Sequence, residues 1–585
     1  SSFADVVASY HDSLSHYSFG QDRRRVASKA VAFMHGLQNN GALAVVKNFT
    51  INGATINGVE RDLPVFSAGV DTVRTFAFYK LLQENIAGLM SASSSFPLFY
   101  GDKDLVRKNN FDAATLSLMF TGNWLKKNSG YNGLSVVALY NKKETEEKNK
   151  GDAAVIAFQT ENELIIATGD IGPGIRKIKR LIKKDEYFEL VLTRSVRKVL
   201  ATKYDAGLWQ KPFVVTDNLV AKLNSPNAKI ASQKLYEAAV TVVQDKQGVL
   251  PISTLENKHF LYLNTTSNES GELYGYLSKY VHTGYAVLND NLKVNSFVDS
   301  LREGHTIVIG IFPETPASVL KKINALAQRA VPTHEVILCD FGNDLFIESK
   351  LPDATVITGY SSVPESLRAV PQMIFGGLKA DGLFPYTRST QAIAGIGIQT
   401  NALQRLTYSI PEDAAMDSKT LKKIEAIVNE AISIRATPGC QILVARNGKV
   451  IYDKSFGRLT YEGQDSVTSD NIYDLASLTK VSATLQAVLF MHEKGLIDLN
   501  KKLSYYLPEL KQTNKKDMTL VEMLTHQAGL APFIPMWTET VKDNVFLPQY
   551  YSRVQSELYP LQVSPDLYAA PVIRDSVWVW IGESK

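Results

Sequence analysis

Cysteine is nearly missing from this sequence: Cys339 and Cys440 are the two thiols in 585 residues. That excludes a disulfide framework and a cysteine-built metal cluster. Long apolar runs are missing as well, and none reaches the roughly 18 residues that a membrane-spanning helix needs. Charge of one sign is not in excess either, since 63 Lys and Arg against 59 Asp and Glu leave +4. With no basic stripe along the chain, nucleic acid is excluded as the partner. The first residue is Ser1, with no charged-then-apolar leader after it, and the expectation is a fragment truncated at both ends. No internal repeat is present, and nothing calls for a cofactor or a metal. Oligomeric state is left open.

What is present is an ordinary globular composition, 45% apolar and 21% charged, in a length that fills about three or four domains. Residues 1–208 alternate short apolar runs with helical patterns. Strands are expected at Gly41 to Phe49, Ile86 to Ala92, Leu134 to Tyr140 and Glu163 to Thr168, with helices at Arg23 to Leu37, Val70 to Glu84, Asp112 to Leu125 and Gly174 to Lys184. Four βα units at about 30 residues each have the dimensions of half a (β/α)8 barrel, here the second half.

Residues 209–245 read as a linker followed by a helix, Ser232 to Gln244. Residues 246–395 read as a second α/β domain, with strands at Phe260 to Asn264, Thr306 to Phe312, Val336 to Asp340 and Thr355 to Thr358 and a helix at Pro316 to Gln328. The pattern lapses over 396–415, and an amphipathic helix, Ser418 to Ile434, opens a third region, 416–585. Asn447-Gly448 between Gln441 to Arg446 and Lys449 to Phe456 predicts a hairpin. The fold class is therefore multidomain α/β.

The segment LASLTK sets Ser477 and Lys480 three residues apart, ahead of a helical pattern from Val481 to Lys494 that closes at Gly495. Both side chains then lie on one helix face at its N-terminus. The positive end of the helix dipole and a dry pocket both disfavour an ammonium, so the lysine is driven toward the neutral base that takes a serine proton. The bland alternative is an N-cap serine followed by a solvated lysine. Ser318 and Lys321 share the same spacing by chance inside another amphipathic helix.

Four ordered blocks favour the chemical reading: QILVARNGKVIYDKSFG, YDLASLTK, LIDLNKKLSYYLPEL and MTLVEMLTHQAGL. Over about 416–585 the chain resembles the serine β-lactamase-like family of class C lactamases, penicillin-binding proteins and esterases. The resemblance implies the N-terminal part of an α+β domain, Ser477 as nucleophile, Lys480 as general base, and His526 with Gly529 shaping a turn beside a substrate pocket. The family's Tyr-x-Asn and Lys/His-x-Gly motifs are not found. Tyr551-Ser552-Arg553 is the nearest string, and it lacks the Asn.

The run KNFTINGATINGVERDLP, from Lys47 to Pro64, resembles the strand and catalytic loop of glycoside hydrolase family 3 in its β-N-acetylglucosaminidase branch, KHFPGHGDTxxDSHxDLP. Lys47, Phe49, Gly53, Thr55, Asp62, Leu63 and Pro64 match. Asn48 and Asn52 replace histidines, and Gly58 and Glu60 stand where the family carries its Asp–His acid/base pair. Ala138 holds the place of the nucleophilic Asp, Tyr17 that of a sugar-binding Arg, and Ser93 that of a His. No histidine occurs between His35 and His259, so a shifted alignment restores nothing. The resemblance implies a catalytically degenerate glycosidase module whose residual sugar contact is Lys47.

Residues 225–400 resemble the α/β sandwich that follows the barrel in many family 3 enzymes. Together these likenesses imply a bacterial envelope hydrolase, periplasmic or lipid-anchored, acting on small-molecule or peptidoglycan-derived substrates. Two alternatives stand beside it: a non-catalytic glycan-binding scaffold, and an active β-N-acetylglucosaminidase that uses Glu60 as an atypical acid.

Overall fold

A computed structural model describes residues 18–49, 55–56, 59–60, 76–91, 125–126, 129–139, 151–167, 170–210, 216–266, 271–343, 346–347 and 349–584. The chain divides into two compact units, 1–469 and 470–585.

The first unit opens with helix α1 (Arg23–Gln38), whose N-terminus is capped by Asp22 accepting the Arg25 N–H at 2.7 Å. Strand β1 (Val45–Phe49), helix α2 (Phe76–Gln83), β2 (Gly88–Ser91), β3 (Leu134–Leu139), α3 (Asp152–Gln159), β4 (Leu164–Ala167), α4 (Gly172–Ile182) and α5 (Glu186–Asp205) follow. The four strands pair in sequence order, β1-β2-β3-β4, and every pairing is parallel. The expected strands all form. The expected helix at 112–125 lies outside the described residues, apart from its last position. Val26, Ala30 and Met34 of α1 and Phe78 and Leu81 of α2 pack with Val46 and Leu89 into one core.

The start of β3 and β4 holds a buried ionic knot. The Glu163 carboxylate, 5% exposed, accepts from Lys126 at 2.8 Å and Lys198 at 3.0 Å and from the Ser135 hydroxyl and N–H at 2.5 and 2.8 Å. Burial alone pushes this carboxyl up, but the two ammoniums and the Ser135 hydroxyl outweigh it and hold it below its ordinary value. The knot sits at the N-terminal ends of the strands, the face where α/β sheets keep stabilising rather than catalytic groups.

Helix α6 (Pro226–Ala239) leads into β5 (Thr241–Asp245), β6 (His259–Asn264), α7 (Glu272–Ser278), β7 (Thr283–Val287), α8 (Val294–Ser300), β8 (His305–Ile311), α9 (Ala317–Ala330), β9 (Glu335–Asp340), β10 (Thr355–Thr358) and α10 (Pro364–Ile374). The expected helix over Ser232 to Gln244 is corrected here. It ends at Ala239, because the β-branched run Val240 to Val243 favours an extended chain and pairs antiparallel with β10. The six strands run β5-β10-β9-β8-β6-β7, parallel except for β5. Alternate residues feed two cores: Ile307, Ile309, Val336 and Leu338 face α8 and α9, whereas Phe260, Val308, Ile337 and Cys339 face α7 and α10.

Strand β11 (Thr407–Tyr408) joins a hairpin, β12 (Gly439–Arg446) and β13 (Lys449–Gly457). Its turn is the expected Asn447-Gly448, with φ of 53° and 73°, the left-handed pair a two-residue hairpin requires. The expected helix from Ser418 to Ile434 forms in two pieces, Ser418–Leu421 and α11 (Lys423–Ser433). Lys279 after α7 pairs with Asp453 of β13 at 2.6 Å, and Lys279 also lies over the Tyr408 ring at 4.9 Å. The hairpin is thereby tied to the six-stranded domain.

The second unit contains a helix, α12 (Leu485–Glu493), that stops where Gly495 adopts φ 69° and Leu496 N–H reaches back to the Met491 carbonyl at 2.9 Å. Three short strands, Tyr551–Ser552, Leu567–Ala569 and Leu561–Ser564, form one antiparallel sheet, and a closing helix spans Val572–Glu583. No helix among the described residues is long and apolar enough to cross a membrane.

Two stability predictions follow from the buried carboxylates. Glu163→Ala leaves Lys126 and Lys198 facing each other without a counter-charge and is expected to cost about 3 kcal/mol in urea unfolding of the first unit. Asp340 at the end of β9 behaves oppositely. Burial pushes it up to about 6, against hydrogen bonds from Asn343 N–H at 2.9 Å and the Thr358 hydroxyl at 3.0 Å. Between the unfolded value and about pH 6 the folded state binds the extra proton, so this group's contribution to stability falls as pH rises through that window, by about 3 kcal/mol at most. Comparison of wild type with Asp340→Asn across pH 4 to 7 isolates the effect, and parallel pH profiles would refute it.

Candidate active site

Ser477 sits in a single 3-10 turn, Ala476–Leu478, and Lys480 begins a π-helical turn, Lys480–Thr484, that runs straight into α12. The turn is braced from outside: Asp474 Oδ1 accepts the Ala476 N–H at 2.7 Å. Ala476 itself holds φ 42°, a left-handed conformation that a side chain makes costly and that tends to persist at functional turns. π-turns likewise concentrate at functional positions. The result is direct contact between the two residues that the sequence singled out, with Lys480 Nζ donating to Ser477 Oγ at 3.0 Å. That is the reach a general base needs for the proton of its nucleophile.

The sequence expected a dry pocket around this pair. Both side chains are instead exposed, as are the apolar residues Leu475, Leu478 and Val481 around them. The described residues do not supply the low-dielectric walls that the expectation assumed. His526 follows the short helix Leu520–Leu524, which opens with a capping box between Thr519 and Glu522. His526 and Gly529 have φ of 59° and 71°, so the expected turn is real, and His526 is exposed in it. Tyr551 and Ser552 belong to the three-stranded sheet, next to an Arg553–Asp566 ion pair.

In the first unit Lys47 lies on β1, exposed, in register with Met90. Ala138 lies near the C-terminal end of β3, opposite Ile166, half-buried. Glu60 ends a two-residue strand, Val59–Glu60, that pairs with Thr55–Ile56; its side chain, and that of Asn48 on β1, are outside the described set. Tyr17, Asn52, Gly58 and Ser93 lie outside the described residues. A methyl group therefore occupies the strand-end position assigned to the glycosidase nucleophile. Sequence reasoning missed Asp474 and the strained Ala476; an Asp two residues ahead of the N–H it braces is a legible Asx-turn signal.

With this geometry in place, comparison with known families is informative. Residues 1–202 match the Glycosyl hydrolase family 3 N terminal domain, and residues 424–557 match the Beta-lactamase family. The two matched stretches, both to hydrolase families, lie in that order along the chain, and the Ser477–Lys480 pair falls within the second. Similar proteins include a β-lactamase of Providencia stuartii, 29% identical over 136 residues, covering 23% of this chain and 34% of that protein. An N-acetylmuramyl-L-alanine amidase of Bacillus subtilis (strain 168) is 29% identical over 132 residues, covering 20% of this chain and 30% of the amidase. The chain therefore spans about a third of the length of these relatives. Among solved structures, a glycoside hydrolase family 3 β-N-acetylglucosaminidase from Paenibacillus sp. str. FPU-7 aligns with a TM-score of 0.43 at 19% identity, covering 67% of this chain and 76% of that one.

The contact predicts its own test. Lys480→Ala is expected to slow acylation of Ser477 by about 10²–10⁴-fold, the usual worth of a positioned base, whereas Lys494→Ala at the far end of α12 leaves it unchanged. Stopped-flow acylation with a chromogenic ester reads both.

Proposed function

We propose that the chain is a bacterial envelope hydrolase whose working chemistry is serine acyl transfer, with Ser477 as nucleophile and Lys480 as its base. The observation that carries this reading is the 3.0 Å Lys480–Ser477 hydrogen bond within the β-lactamase-matched segment. A peptidoglycan-derived amide or peptide is the substrate class, in line with the name of the amidase relative; a β-lactam or a carboxyl ester would follow the same two-step route. His526 is assigned to the pocket rim. A fluorophosphonate or penicillin probe is expected to label the chain at Ser477, and equal labelling of Ser477→Ala would sink the assignment.

Residues 1–208 are read as the second half of a family 3 barrel, 246–395 as its sandwich domain, and 416–585 as part of a β-lactamase-like domain, with linkers at 209–245 and 396–415. The setting is periplasmic or envelope-bound. The glycosidase module is inactive on this reading: Ala138 cannot attack an anomeric carbon, and Gly58 with Glu60 does not reproduce an Asp–His pair. An inverting route needs a second carboxylate about 6.5–9.5 Å from the acid, and Asp62, two residues from Glu60, is a poor candidate to face it across a sugar ring.

A second reading keeps the module as a glycan-binding scaffold. The exposed ammonium of Lys47, midway along β1, favours it, because it can donate hydrogen bonds to sugar hydroxyls. The chain is expected to release no nitrophenol from a nitrophenyl N-acetylglucosaminide above background. Turnover abolished by Glu60→Gln but not by Ser477→Ala would instead establish an atypical glycosidase.

A further inference from the structure

Four of the nine histidines stand in one row. His305 on β8 is the register partner of His259 on β6. Thr306 pairs with Glu335 and Phe260 with Thr283, which sets His334 and His282 at the same level, each one residue ahead of its strand's first pair. The row crosses four neighbouring parallel strands at the N-terminal edge of the six-stranded sheet. That edge is far along the strands from the C-terminal loops where α/β sheets usually bind substrate.

The centre of the row has ligand geometry. The His259 and His305 ring centres lie 5.2 Å apart, and those of His305 and His334 are 6.0 Å apart. Two imidazoles sharing one tetrahedral ion at about 2.0–2.1 Å per bond put their ring centres about 5 Å apart. His305 Nδ1 is 2.6 Å from the Arg302 carbonyl. A carbonyl only accepts, so Nδ1 carries the hydrogen and Nε2 presents a bare lone pair, the way a backbone carbonyl behind a ligating histidine sets its tautomer. His259 is exposed and free to turn toward it. His334 is 5% exposed, and its Nδ1 is buried with no hydrogen-bond partner. The flanking Lys258 and Glu335 neutralise each other at 2.6 Å.

Among the described residues no group of three or more His, Cys, Asp or Glu side chains converges on one point. We propose that His259 and His305 form a two-histidine chelate for a divalent transition-metal ion of the zinc class, with water completing the coordination. Imidazole nitrogen suits zinc, nickel and copper over magnesium or calcium. The proposal is independent of the serine site.

Calorimetric titration of the tag-free full chain with Zn²⁺ tests it. One ion per chain is expected, with His259→Ala and His305→Ala each weakening binding at least about tenfold, His35→Ala leaving it unchanged, and Zn²⁺ raising the unfolding temperature of wild type but not of His259→Ala. Because His259 is exposed, His259→Gln serves as a second variant that keeps the fold and a similar polarity. Absence of saturable binding, or binding unaltered in His259→Ala, His259→Gln and His305→Ala together, overturns the proposal.

Discussion

A parallel sheet is apolar on both faces, so it must be covered on both, and the two parallel sheets of this chain meet that constraint unequally. The six-stranded sheet meets it fully. Residues from Ile307 to Ile311 alternate between two cores, one under α8 and α9 and one under α7 and α10, with relative exposures of 0% at Ile307, Val308 and Ile309. In the four-stranded sheet the described residues bury Val136 and Val137 of β3, while Leu164 and Ile166 of the edge strand β4 and Val45 of β1 are exposed among them. Those exposed positions alternate along β4 with the half-buried Ile165.

This difference separates structure from chemistry along the first unit. The polar groups kept dry there, Glu163 with its two lysines and Ser135, lie at the strand starts and brace the sheet. The C-terminal end of β3, where chemistry would be placed, carries Ala138, and Lys47 is exposed midway along β1. A sheet's coverage depends on volume and alternation, which Val136 and Val137 satisfy, whereas a glycosyl intermediate depends on one carboxylate at one position. The residues that brace this sheet are thus distinct from the single position at which such a carboxylate would stand.

Much of this was legible in the sequence. Period-two apolar runs gave all four strands of the first sheet, and Asn447-Gly448 gave the hairpin turn, because both signals are local. At the edge strand β5 two signals compete: Thr241 to Gln244 continues a helical pattern, while its β-branched residues favour an extended chain, and the antiparallel pairing with β10 decides for the strand. Strand β7, Thr283–Val287, has a Gly and an Ala among its five residues and so little apolar signal of its own; its parallel pairing with β6 defines it. Ser477 and Lys480 are legible as a pair because a spacing of three residues brings side chains together on a 3-10 or α-helical turn. Their exposure was not legible, since walls come from residues distant in sequence. The histidine row was invisible for the converse reason: each histidine stands alone in the sequence, and it takes the parallel register of four strands to align them.

The serine–lysine contact shows what local geometry can and cannot do. A strained Ala476, its N–H held by Asp474, and a π-turn at Lys480 bring the amine to the hydroxyl with no help from the rest of the fold. Proton transfer over 3.0 Å then needs no rearrangement of either side chain. In the resting arrangement, however, the amine donates to Ser477 Oγ, and base work requires the reverse, with the hydroxyl proton moving to nitrogen. That reversal is favoured when water is removed from around the nitrogen, because dry surroundings penalise the ammonium. Leu475, Leu478 and Val481, neighbours of the pair along the chain, are exposed apolar side chains, so covering this segment would also dry the amine. Contact and proton direction are thus separable: the turn sets the Lys480–Ser477 contact, and the water around the nitrogen sets which way a proton between them moves.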